Sequence, residues 1–438
     1  MLKKIAFILL IFSSVFAENL TLKQCVDIAL ENNPDIVILK NNLESSRSKI
    51  KEVRANYWPV ISGNFLASRR VSPSSSLYGL LASSFPGLEA TSDVSTYTAG
   101  LSLQQNIWDF GRTSSIEKQA KDNEGLSLLQ LDRKKQEVIY NVRKSYYSLL
   151  LAKVMEKIID SNLKSIESLL ESTKERQKQG LATEIDVLNI ESEYVKFKLE
   201  VKKSNHQVEL TTLSLINLLG KTFCEQVFFR TLKDVTTEDF SIPEENPLGF
   251  KDFEECKNKA ISSRFEFKEL ELQENLAQTA ISSVYSEWLP VISGSASYDL
   301  TGNIFFPNQP SWSVGLNILI PLFSGFSSQA RLEQSEKSLK NIDSSKKQLI
   351  QNIILQVKNN YYKVLEEKEN IDVVKKKYEY LRKNFEGTSA KHNAGLTTLT
   401  ELVEAQTKKI ISELENQNAI YNYYHALNEL EYSLGGIK

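Results

Sequence analysis

The pentapeptide Pro59-Val60-Ile61-Ser62-Gly63 occurs twice, returning unchanged as Pro290-Val291-Ile292-Ser293-Gly294. Moving outward toward the N-terminus, Cys25 falls on Cys256 and Ala29 on Ala260 at the same offset of 231 residues. Beyond the pentapeptide the offset becomes 215: Tyr146-Tyr147 falls on Tyr361-Tyr362, Gly180-Leu181 on Gly395-Leu396, and Gly220 on Gly435. The 16-residue difference lies between the pentapeptide and Trp108, inside one loop of the first copy. A unit repeated over nearly 200 residues with one insertion is a duplicated fold whose halves supply equivalent pieces to one object.

Length and composition set the frame. The chain has 438 residues but only 10 prolines and 17 glycines, which predicts long uninterrupted elements. Residues 1–17, MLKKIAFILLIFSSVFA, carry two lysines, an apolar run and small residues at Val15 and Ala17, the parts of a secretory signal peptide. The mature chain is expected to begin at Glu18, with no cysteine there to accept a lipid. Removing Lys3 and Lys4 takes the formal charge from −2 to −4, which gives no nucleic-acid partner to expect. Three cysteines, Cys25, Cys224 and Cys256, are too few for a disulfide framework, although one bridge is open to them. No later stretch has the 18 apolar residues of a membrane-crossing helix. Enzyme signatures are missing too: there is no phosphate-binding glycine loop, no metal spacing among His206, His392 and His425, and no nucleophile elbow. No cofactor is expected.

A short helix from Thr21 to Asn32 stops near Pro34, and a second runs from about Ile36 to Asn56, ended by Pro59. The period then becomes two. Ile61, Gly63, Phe65 and Ala67 share one face, with Ser62, Asn64 and Ser68 on the other. After a Ser/Gly/Pro-rich loop, Val71 to Asp93, a second strand sets Tyr97, Ala99, Leu101 and Leu103 against Thr98, Ser102 and Gln104. The second copy keeps the phase, with Ile292, Gly294, Ala296 and Tyr298 against serines, then Trp312, Val314, Leu316, Ile318 and Ile320 against Ser313 and Asn317. A soluble sandwich alternates in the same way. The signal peptide, and Trp58, Trp108, Trp288 and Trp312 at or beside strand ends, favour membrane strands with an aromatic belt instead. Four strands cannot close a barrel, because an open edge in lipid leaves backbone groups unpaired, so several chains must share one.

After Trp108-Asp109-Phe110-Gly111-Arg112 the period turns helical: Val142, Tyr146, Leu149, Val154, Ile158, Leu163, Ile166 and Leu170 recur among lysines, glutamates and serines. From Thr113 to Lys178 only Gly125 interrupts, a helix of about 100 Å. Gly180 fits a C-terminal cap, Thr183 opens a returning helix, and that helix runs to Gly220. The second copy repeats this from Ser327 to Asn393, turns at Gly395 and returns from Thr398 to Gly435. Such helices pack side by side as a coiled-coil-like wall. The divisions are 1–17 signal peptide, 18–220 first repeat, 221–251 linker with Pro243 and Pro247, and 252–438 second repeat.

This order, with Trp-Asp-Phe-Gly-Arg at 108–112, its counterpart Pro321-Leu322-Phe323-Ser324-Gly325, and the turn Gly180-Leu181-Ala182-Thr183-Glu184-Ile185-Asp186-Val187-Leu188, resembles the TolC-like outer membrane efflux protein family over the whole mature chain. The resemblance implies a mainly α fold with a small β part. Long antiparallel helical hairpins form an α-barrel reaching into the periplasm, and four transmembrane strands per chain are shared in a homotrimeric twelve-stranded β-barrel in outer membrane lipid. It further implies a passive exit duct of a tripartite efflux or type I secretion system. Its partners are a periplasmic adaptor (membrane fusion) protein and an inner-membrane pump of RND, ABC or MFS type; the exported substrate is not written in the sequence. A secreted coiled-coil stalk or adhesin would share the long helices and the signal peptide, but would not need two-faced strands with tryptophan ends.

On the resemblance, Glu401 and Glu404 match acidic residues that constrict the tunnel tip, three copies of each making anionic rings that favour cations. The other reading for Glu401 is a capping box with Thr398, and Asp186 stands in the same relation to Thr183. Asp186 also matches the Asp that relatives use to close the tip, but Thr397 and His392 stand where its Arg and Tyr partners would be. An Asp186–His392 contact would make closure depend on pH near neutrality. The tips Gly180, Leu181 and Thr183 and Gly395, Leu396 and Thr398 are the expected adaptor contacts, although a plain helical hairpin needs the same glycines. The pairs Tyr146-Tyr147 and Tyr361-Tyr362 read as wall packing.

Overall fold

A computed structural model describes residues 21–73, 91–220 and 252–436. Residues 1–20, which include the expected signal peptide, positions 74–90, the expected linker 221–251 with Cys224, and residues 437–438 lie outside the described residues.

The first repeat comprises α1 (Leu22–Asn32), α2 (Pro34–Arg54), β1 (Val60–Pro73), β2 (Thr91–Trp108), α3 (Arg112–Lys178) and α4 (Glu184–Leu218). The second comprises α5 (Phe253–Ser263), α6 (Phe265–Tyr285), β3 (Val291–Gly302), β4 (Gln309–Leu319), α7 (Ser327–Asn393) and α8 (Leu399–Ser433). Equivalent helices have the same length in both copies: 11, 21, 67 and 35 residues. Only the strands differ. β1 and β2 continue through Val71–Pro73 and Thr91–Asp93, which the sequence pattern assigns to the loop, because the antiparallel register runs on without a break to Pro73 opposite Thr91.

Two compact units are present, each drawing on both repeats. One, 42–128 with 269–345, holds the strands. They form one antiparallel sheet in the order β1-β2-β3-β4, so β1 and β4 are its edges. The register aligns the expected faces. One face carries the rows Ile61–Leu103–Ala296–Val314, Gly63–Leu101–Tyr298–Trp312 and Phe65–Ala99–Leu300–Pro310. The opposite face carries Ser62–Ser102–Ser297–Ser313 and Asn64–Gly100–Asp299–Ser311. Every residue of β4 is exposed, apolar ones included. At the strand exits a left-handed pair starts each long helix: Phe110 with Gly111 before α3, and Gly325 with Phe326 before α7. The glycine has changed places between the copies. The first exit is locked by Asp109, which accepts from the Thr113 amide (2.9 Å) and Asn106 Nδ2 (3.0 Å). In the second, Ser324 at the equivalent position reaches Ser328, which donates to Glu287.

The other unit, 1–41 with 129–268 and 346–438, is helical where described. Val142, Tyr146, Leu149, Ile166 and Leu170 are buried as the helical period predicts. Val154, Ile158 and Leu163 are half-buried, and Lys153 and Asn162 take the buried positions nearby. Cys25 and Cys256 are free, fully buried core residues, and burial pushes the Cys25 thiol up to about 12. Tyr147 stacks on Tyr424 and Tyr140 on Tyr432, so these tyrosines join α3 to α8 as wall packing.

The joint between the short helices closes each repeat in the same way. Asn33, between α1 and α2, donates to the Leu218 carbonyl at the end of α4 (2.9 Å). Its equivalent Arg264, between α5 and α6, donates to the Ser433 carbonyl at the end of α8 (3.3 Å). The glycine that follows each helix end sits tight against that joint, Gly220 against the Asn32 carbonyl and Gly435 against Arg264.

Candidate functional site

Both helical hairpins turn through the same cap. Gly180 and Gly395 each adopt a φ of 72°, a conformation glycine takes without steric cost. The amide of Leu181 bonds the Arg176 carbonyl (2.8 Å) and that of Leu396 the Lys391 carbonyl (2.9 Å), the long bond of a Schellman motif. A β-carbon added at either glycine would meet nothing within 4 Å, so conformation and not packing selects glycine there. Around the turns Leu181, Ile185, Leu188 and Leu396 are exposed, Ile185 and Leu396 at 77% each. Beneath them Ile166, Leu170, Val187, Ile190, Leu399 and Leu402 form a buried cluster that joins the two tips.

The two acidic positions that the duplication makes equivalent behave differently. Asp186 completes its capping box: its carboxylate accepts from the Thr183 amide and hydroxyl, both at 2.8 Å, and its own amide donates to Thr183 Oγ1 (3.1 Å). Glu401 makes half of one. Its amide donates to Thr398 Oγ1 (3.3 Å), but its carboxylate accepts from the Thr397 hydroxyl instead of returning to the Thr398 backbone. The longer side chain overshoots the cap. Glu401 is therefore an exposed carboxylate, whereas Glu404 lies 3.6 Å from the Lys408 ammonium one turn on. That pair, with both side chains 63% exposed, is worth only a few tenths of a kcal/mol but offsets the Glu404 charge.

Asp186 and His392 share a cation that sequence reasoning passes over. The Thr183 backbone and hydroxyl hold the Asp186 carboxyl below the usual carboxylate range, and the charges of Arg176 and His392 add to this. Burial, then the Arg176 charge, hold His392 below the usual imidazole range, against the opposing pull of Asp186. The two side chains feel each other's charge, yet no ion pair joins them among the described residues. The signal for Arg176 is its place in the last turn of α3, where a cation meets the helix C-terminus.

In the sheet unit Trp58, Trp108 and Trp288 all stand at the helix-side ends of their strands, while Trp312 lies six residues further along, opposite Tyr298. Sequence reasoning misses the aromatic cluster at the far ends, because its key member is a loop residue: Phe305 packs on Phe65 (5.6 Å) and Tyr97 (5.7 Å).

Comparison with known proteins fits this architecture. The probable efflux pump outer membrane protein TtgC of Pseudomonas putida is 25% identical over 327 residues, 73% of this chain and 63% of the relative. The outer membrane protein TolC of Escherichia coli is 19% identical over 342 residues, 74% of this chain and 66% of TolC. The aligned part thus spans less than two thirds of the length of either relative. Among solved structures, the outer membrane channel CmeC of Campylobacter jejuni superposes with a TM-score of 0.80 over 95% of this chain and 85% of that one, at 14% identity, which shows the shared fold. The family model described as outer membrane efflux protein matches residues 25–221 and 257–436. With nearly all of both repeats matched, the chain belongs to the outer membrane efflux protein family, whose members are channels of the outer membrane and not enzymes.

Proposed function

We propose that the protein is the outer-membrane exit duct of a tripartite efflux or type I secretion assembly, working as a homotrimer. The observation that carries this reading is the two-faced sheet whose edge strands β1 and β4 have no further strand partner among the described residues. About eight strands are the least that close in lipid, and three copies supply twelve. From the Trp108–Ile292–Ile318 row to the Tyr97–Gly302 row is ten residues. At about 3.3 Å per residue and a tilt near 40°, that spans about 25 Å, the height of a barrel's apolar band. In this reading Trp58, Trp108 and Trp288 mark the periplasmic interface, and Tyr97 and Phe305 complete the outer one beyond Trp312. Exposed apolar stripes on α4 (Ile185, Leu188, Val195, Leu199) and α7 (Leu355, Tyr362, Val373, Tyr380) support packing of one copy on the next.

The helical tips form the gate and the docking end. Glu401, without an ionic partner among the described residues, makes the stronger anionic ring, and Glu404 is partly compensated by Lys408. Gly180, Leu181 and Thr183 with Gly395, Leu396 and Thr398 meet a periplasmic adaptor, which joins the duct to an inner-membrane pump of RND, ABC or MFS type. The duct itself is passive. The test is single-channel conductance of the detergent-purified protein, with its mass, for wild type and for Glu401→Gln/Glu404→Gln. A trimer with a small cation-selective conductance that rises in the variant supports duct and gate. An unchanged conductance returns both glutamates to structural roles, and a folded trimer without a channel ends the duct reading.

A further inference from the structure

We propose that Asp299 is a fixed charge that selects for cations inside the strand-lined part of the duct, independently of the tip. This rests on the reading that the polar face of the sheet lines the lumen. Four rows cross that face through all four strands: Val60–Gln104–Ser295–Gly315, Ser62–Ser102–Ser297–Ser313, Asn64–Gly100–Asp299–Ser311 and Leu66–Thr98–Thr301–Gln309. Asp299 is the one charged residue in these rows.

The surroundings are arranged for it. Its carboxylate lies across Gly100, where a β-carbon would stand 1.9 Å from Oδ1, so any side chain at position 100 would displace it. Ser297 Oγ donates to Oδ2 (2.9 Å) and also meets Ser313 Oγ (3.0 Å), while Ser62 meets Ser102 (2.8 Å). The serine row thus spends its hydroxyls on one another and on the carboxylate. Among the described residues no cation enters that network to neutralise the charge. The duplication does not copy it either, since the equivalent position in the first repeat is Ser68.

The reach of such a charge follows from geometry. Twelve strands about 4.8 Å apart and tilted near 40° close at a Cα radius of about 12 Å, leaving three carboxylates roughly 8 Å from the axis. The screening length is about 10 Å at 0.1 M salt and about 3 Å at 1 M, so the ring acts across the lumen in dilute salt and vanishes in concentrated salt.

The experiment reads the local potential without relying on transport. Ser311, opposite Asp299, is replaced by Cys in a Cys224→Ser background; Cys25 and Cys256 are fully buried. Rates of modification by cationic and anionic methanethiosulfonates are measured by mass spectrometry on the protein in liposomes, with and without Asp299→Asn. The cation-to-anion rate ratio is expected to fall about fivefold in Asp299→Asn at 0.1 M salt and by less than about 1.5-fold at 1 M. A ratio that Asp299→Asn leaves unchanged, with Ser311→Cys reactive, overturns the proposal while the lumen reading stands. If Ser311→Cys is inert and Val314→Cys on the opposite face reacts, the lumen reading fails and takes the proposal with it.

Discussion

Arg264→Asn would install in the second repeat the residue that closes the first. Both joints donate to the same carbonyl at the end of a returning helix, yet their surroundings differ. Arg264 is buried and also binds Glu266 through Nε (3.2 Å) and Nη2 (2.6 Å) and Gln356 (2.8 Å). Asparagine keeps a cap donor but leaves the Glu266 carboxylate, 25% exposed, without its cation. Breaking one side of a buried pair costs about 3 to 5 kcal/mol, whereas losing the neutral Asn33 cap in Asn33→Ala costs about 1. Amide exchange of the α8 end, read by mass spectrometry, should accelerate by between about a hundredfold and a few thousandfold, against about fivefold at the α4 end in Asn33→Ala. The pH dependence gives a second handle. In the wild type burial pushes the Glu266 carboxyl up, but Arg264 overcomes it and holds the group below its ordinary value. That stabilisation is present above the unfolded value and is lost as pH falls through the folded one. Without Arg264 the burial effect is opposed only by the Glu266 backbone hydrogen bond and the charge of Arg133, so the folded value rises and the variant loses less on acidification than the wild type. The loss should therefore shrink between pH 7 and pH 5, and Glu266→Gln should recover part of it. Equal effects at the two joints, or a loss that grows on acidification, would refute the reasoning.

Two further expectations test the tips and turns. Alanine at Gly180 or Gly395 meets open space and should lower stability by only about 1 kcal/mol from the positive φ, while Gly220→Ala, whose β-carbon would stand 2.2 Å from the Asn32 carbonyl, should be far worse; thermal unfolding in detergent ranks them. Because burial and Arg176 lower the His392 value, any acid-induced change in conductance should lie below about pH 6.5, and Arg176→Gln should move its midpoint upward; a midpoint that ignores both Arg176→Gln and His392→Gln removes His392 from the gate.

The duplication carried most of the fold into the sequence. Long helices without breakers, Gly180 and Gly395, and the two-residue alternation around Pro59 and Pro290 each have a local physical cause, and each element formed where that cause lies. What stayed hidden depends on the tertiary arrangement. Asn33 and Arg264 share a place in the repeat but no chemical letter, so their common task appears only when the carbonyls of Leu218 and Ser433 are seen beside them. Phe305 sits in a loop without periodicity, and Arg176 reads as one more cation on a charged helix until the hairpin folds back.

Divergence between the copies then acquires a functional meaning. Three chains of two repeats would present six equivalent tips, and identical repeats would present six equivalent charges. One methylene changes that. Aspartate at 186 is short enough to return to the Thr183 backbone and is consumed by its cap, whereas glutamate at 401 overshoots to Thr397 and stays exposed. The same reduction occurs in the sheet, where Asp299 has only Ser68 for a counterpart. In the proposed trimer Asp186 therefore stays ionised but is held in its cap, Glu401 supplies the three free carboxylates of that tip position, and the Asp299 ring holds three charges and not six. Swapping the letters tests the cap directly: Asp186→Glu should release a second carboxylate per chain and raise cation selectivity at the tip, while Glu401→Asp should lower it by drawing the charge into the cap. If Glu401→Asp is as selective as wild type, side-chain reach is not what separates the two positions.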